Sequence, residues 1–113
     1  ASDVYKRQVY ELRTYTAADG KLDALESRFR DYTMDLFERH GMKNIAYWIP
    51  VDVPNTLIYV LAHHDRDAAK KSWQSFVNDQ DWQRIFKASR VDGPLVVRIE
   101  SVFMKATDYS PMP

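Results

Sequence analysis

Cysteine is absent from the 113 residues, which removes disulfides, thiolate metal sites and thiol nucleophiles together. Glycine occurs only three times, leaving little room for a phosphate-cradling loop. Neither a GxSxG elbow nor a nucleotide fingerprint is present, which excludes serine hydrolases of the usual kind and the common nucleotide-binding folds. Charge of one sign is lacking too: 16 Lys and Arg balance 16 Asp and Glu. A neutral chain without a basic cluster argues against nucleic acid, whose binding draws on neutralised phosphates, and equally against an anionic membrane surface. No apolar run approaches the ~20 residues that span a bilayer, and no signal-peptide core opens the chain. The expectation is a soluble, cytoplasmic protein.

What is present is a core. Apolar residues make up 45% of the chain, including seven Tyr, five Phe and three Trp, which indicates one globular domain. Residues 1–8, ASDVYKRQ, are polar and do not continue the alternation that follows. They are expected to be non-native or disordered, with the domain running over 9–113.

The organising stretch is Val9 to Thr16, VYELRTYT. Its alternation places Tyr10, Leu12 and Thr14 on one side of a strand and Val9, Glu11, Arg13 and Tyr15 on the other. Leu22, Leu25, Phe29, Tyr32, Leu36 and His40 then recur at spacings of three and four, one helical stripe, with Asp19 as N-cap and Gly41 as terminator. On this reading Arg28 belongs to the solvated side. Lys43 to Val51 is a second strand, Ile45, Tyr47 and Ile49 facing one way and Asn44, Ala46 and Trp48 the other. Thr56 to His63 is apolar on both faces, as a central strand is. A helix with Ala69, Trp73, Phe76 and Val77 inward breaks at Asn78 to Asp81 and resumes with Trp82, Ile85, Phe86 and Ser89. After Gly93-Pro94, Leu95 to Lys105 is the fourth strand. It turns Ser101 and Phe103 to one side, and Arg98, Glu100 and Met104 to the other.

This order, β-α-β-β-α-β with the second helix broken, predicts an α+β fold: a ferredoxin-like antiparallel sheet with helices on one face. The face without helices is expected to carry Glu11, Arg13, Arg98 and Glu100 together with apolar groups. Such a face is poorly suited to water, and a twofold homodimer would cover it.

The chain resembles the NIPSNAP family of the dimeric α+β barrel superfamily. The resemblance rests on YELRTY at Tyr10 to Tyr15, Gly20-Lys21, HGMK followed by Tyr47-Trp48, and NTLIYVLAH at Asn55 to His63. Trp73 with Phe76, Asp81-Trp82 and TDYSP at Thr107 to Pro111 complete it. At the helix break the family usually has a proline and an acid between aspartate and tryptophan, where this chain reads Asp79-Gln80-Asp81-Trp82. The resemblance implies two subunits' sheets enclosing a barrel, and no settled catalytic activity. Animal relatives are associated with mitochondria and with partners in mitophagy and vesicle traffic; no mitochondrial presequence is seen here, so that location is not carried over. Elsewhere in the superfamily are cofactor-independent monooxygenases, haem-degrading enzymes, and lactone, dye or chlorite enzymes.

Two functional expectations follow. The first is a dimeric protein of undefined activity holding a small, partly apolar ligand in a cleft between sheet and helices, lined by Glu11, Arg13, Tyr15, Trp48, Tyr59, Trp73, Trp82 and Arg98. The second is a monooxygenase or isomerase acting on an aromatic or enolisable compound. Arg13 or Arg98 would hold the anion, and a tyrosine or His63 would move protons. Against both, the arginines and Glu11 with Glu100 read as a cross-strand ion-pair ladder, and the aromatics as core. His63 and His64 are adjacent on a strand and point apart, so no metal site is expected. No cofactor is required, although His40 or His63 remains a candidate general base and His63 a haem ligand.

Overall fold

The computed structural model describes residues 8–111. Apart from Gln8, the expectation for the first eight residues lies outside them. Strands β1 (Val9–Ala17), β2 (Lys43–Trp48), β3 (Thr56–His63) and β4 (Val96–Met104) form one antiparallel sheet in the order β2-β3-β1-β4. Helices follow β1 and β3, which is the ferredoxin-like arrangement. Among the described residues no helix is long and apolar enough to cross a membrane.

The first helical region starts as α1 (Leu22–Arg28), opens into a π-helical turn (Phe29–Thr33) and ends as α2 (Met34–Arg39). Lys21 occupies the N-cap without a side-chain bond, so Asp19 does not cap it. In the π turn the Met34 N–H reaches back five residues to the Phe29 carbonyl, and the Thr33 hydroxyl donates to the Arg28 carbonyl at 3.2 Å. The inserted residue rotates everything after it. Thr33 and Phe37 become buried and Tyr32 turns outward to 49% exposure, while Arg28, ahead of the turn in α1, is buried with Leu25, correcting the stripe's assignments of Tyr32 and Arg28. Gly41 ends the region at φ +83°, the left-handed conformation a C′ glycine takes without strain.

The broken helix is α3 (Arg66–Val77) and α4 (Gln80–Ala88). Asp65 caps α3 by accepting from the Ala68 N–H, and Asp79 caps α4 by accepting from those of Asp81 and Trp82. Ala69, Phe76 and Ile85 are buried as expected, whereas Val77 and Phe86 are exposed.

Helices cover the sheet face that carries Tyr15, Ala17, Leu57, Tyr59 and Leu61, which pack with Phe29, Phe37 and Phe76. The opposite face has a small cluster of Tyr10, Val60 and Ala62 with Leu12 against it. β2 carries a bulge between Asn44 and Ala46. Asn44 and Tyr47 therefore face the helices, joined by a 2.5 Å hydrogen bond, while Ile45 lines the open face with Trp48. The expected pairing of Ile45 with Tyr47 fails because the extra residue resets the alternation.

Candidate functional site

Alternation divides β1 as expected, but the side bearing Glu11, Arg13 and Tyr15 lies under the helices, not on the open face. Its polar groups tolerate burial because they satisfy one another. Glu11 is 1% exposed and accepts four hydrogen bonds. His63 Nε2 and Trp73 Nε1 lie 2.8 Å from Oε1, and Arg13 Nη1 and Ser101 Oγ lie 2.8 and 2.7 Å from Oε2. Burial pushes its pKa up, but the bonds from His63, Ser101, Trp73 and Arg13 outweigh this and hold it at about 2. An ionised carboxylate only accepts, so Nε2 carries the proton on His63, and the buried Nδ1 has no partner among the described residues.

Arg13 is similarly engaged. Nε donates to the Tyr59 hydroxyl at 2.8 Å and Nη2 to that of Tyr15 at 3.1 Å. Its guanidinium lies 4.2 Å from the Trp73 ring centroid. Tyr59 donates in turn to Tyr15 at 2.9 Å. Burial raises the Tyr59 phenol well above its ordinary value. Each nitrogen of Arg13 donates once, using three of its five N–H groups, and each oxygen of Glu11 accepts twice. The network fixes α3 against three strands.

The structure thus brings together Glu11, Arg13, Tyr15, Tyr59, His63 and Trp73. Ser101, which the sequence reading left out, completes the set. Its signal was available: alternation along β4 puts it beside Phe103, and the register places it opposite Arg13. Trp48, Trp82 and Arg98 lie elsewhere. Arg98 pairs with Glu100 at 2.6 Å on the exposed side of β4, so no ladder links these residues to Glu11 and Arg13. His40 lies 2.6 Å from Asp79 at the helix break, and His64 is exposed. Among the described residues no group of His, Asp or Glu is placed to hold a metal.

The apolar opening is on the other face of the sheet. A pocket of about 320 Å³ is walled by Tyr10, Ile45, Trp48, Val60 and Met104 and by the tail from Lys105 to Ser110. Its volume falls in the range of small-molecule sites. The expected cleft between sheet and helices is occupied by this hydrogen-bond network and the aromatic core.

A family model described as NIPSNAP matches residues 10–111. The chain belongs to the NIPSNAP family. Solved NIPSNAP structures agree: a NIPSNAP family protein of unknown function from Agrobacterium tumefaciens superposes with a TM-score of 0.82 at 21% identity, over 94% of each chain. An uncharacterised NIPSNAP-like domain protein from Burkholderia xenovorans gives 0.81 at 16% identity, over 95% of this chain and 91% of that one. SnoaB, a cofactor-independent oxygenase from Streptomyces nogalater, gives 0.66 at 19% identity, over 94% of this chain and 99% of its own. That likeness is one of fold alone. No match is found among curated proteins.

Proposed function

We propose that this NIPSNAP protein works in the cytoplasm as a homodimer that holds a small, largely apolar ligand between the open sheet face and the C-terminal tail. The observation that carries the reading is the chemistry of that face. Trp48 is 51% and Val102 54% exposed, and Ile45 and Met104 are exposed beside them. Their apolar surface continues into the pocket beneath Lys105 to Ser110. A second copy of the same face is self-complementary to it, and twofold packing would remove both from water. The dimer would then close the pocket that one chain leaves open.

The catalytic alternative draws on SnoaB's oxygenase activity. It finds less support, because Arg13 and His63, the groups it needs, are already bonded to Glu11.

The test is titration with the neutral dye N-phenyl-1-naphthylamine, alongside sedimentation velocity. Saturable binding to a dimer, weakened at least about tenfold by Trp48→Arg, supports the reading. Binding unchanged by Trp48→Arg, or a monomer, would overturn it.

A further inference from the structure

Arg28 is 7% exposed, yet among the described residues no carboxylate pairs with it. Its guanidinium makes one hydrogen bond there, from Nη1 to Ser89 Oγ at 3.0 Å, and its Nε is buried without a partner. Trp82 and Phe86 flank it, with ring centroids 5.2 and 5.5 Å away. A buried cation is normally paired, because desolvation costs several kcal/mol and only an opposite charge offsets it. The other cation nearby adds to the imbalance: Arg90 lies 4.9 Å from the Phe86 ring, and burial together with Arg90 shifts Arg28 below its ordinary pKa.

Both arginines, and Arg98, which is paired with Glu100, line a groove of about 360 Å³ between α4 and the start of β4. Phe86, Pro94, Leu95, Val96, Val97 and Ile99 supply an apolar floor, and no acid is among its lining residues. Arg28 is the last residue of α1 and is buried on it together with Leu25. The groove is separate from the tail pocket and shares no residue with it.

We propose that this groove binds a small carboxylate with an apolar body, its carboxylate supplying the charge that Arg28 lacks and its body lying along Leu95 to Ile99. A guanidinium accepts a carboxylate through two parallel N–H bonds. The apolar floor selects against inorganic anions, which have nothing to bury there.

Isothermal titration with sodium octanoate, and with 1-octanol as the uncharged control, tests this. Wild type should bind octanoate at a single site per protomer, at least about tenfold tighter than octanol. Arg28→Met keeps the aliphatic packing and removes the charge. It should lose octanoate binding by about the same factor and leave octanol binding unchanged. Equal octanoate affinity in wild type and Arg28→Met overturns the proposal. Should Arg28→Met fail to fold, exposed Val97→Glu decides: a carboxylate added at the groove should abolish octanoate binding, and unchanged binding overturns the site. Binding of N-phenyl-1-naphthylamine should survive both changes, separating this site from the tail pocket.

Discussion

Glu11 reaches diagonally across the sheet to His63. Its own register partner on β3 is Leu61, yet Oε1 lies 2.8 Å from His63 Nε2. Together with Trp73 from α3 and Ser101 from β4, this ties one helix and three strands to a single carboxylate. Glu11→Ala would leave Arg13 and His63 buried without their acid. It should lower unfolding stability by about 3–5 kcal/mol, measured by urea denaturation.

Arg13→Met should cost less, because Glu11 keeps three donors and Tyr59 keeps Tyr15. The melting temperature should fall while subunit number stays the same, since Arg13 faces the helices. Sedimentation of the variant checks this, and a dissociated variant would return Arg13 to an interface role.

The pH dependence has a defined sign. Glu11 titrates at about 2 in the folded chain against an ordinary value of 4.5, so its contribution is present above about 4.5 and is lost as pH falls towards 2. The difference is of order 3 kcal/mol. Urea midpoints of wild type should drop through this window, and those of Glu11→Gln should drop less.

The helix break has its own anchor. Asp79 accepts from His40 at 2.6 Å, from Arg39 at 3.0 Å and from the α4 N-terminus. The His40 bond, aided by Arg39 and the two backbone N–H groups, outweighs the opposing effect of burial and holds its pKa below the usual carboxylate range. Asp79→Ala should speed amide exchange in α4 more than Asp79→Asn, which keeps an oxygen for the cap.

Much of this was legible in the sequence. Order and type of the elements followed from alternation, the three-four stripe and the break at Asn78 to Asp81. Which face of β1 the helices cover was not. Alternation separates Glu11, Arg13 and Tyr15 from Tyr10, Leu12 and Thr14, but polarity misled, because burial of the first set depends on partners 44 to 90 residues away. The π turn was hidden for a similar reason: Thr33 gives no local sign that its hydroxyl takes the Arg28 carbonyl. Arg28 reads as solvated because its neighbours Ser89, Trp82 and Phe86 lie far along the chain, so the groove at α4 goes unseen.

The central claim is that the open sheet face is shared by two copies and shelters a ligand. Native mass spectrometry of freshly purified protein tests it most directly, reporting subunit number and retained small molecules together. The account predicts a dimer carrying a reproducible extra mass, and conversion to monomer by Val102→Glu, which buries a carboxylate twice in a twofold interface. A stable monomer of the unaltered chain would contradict it.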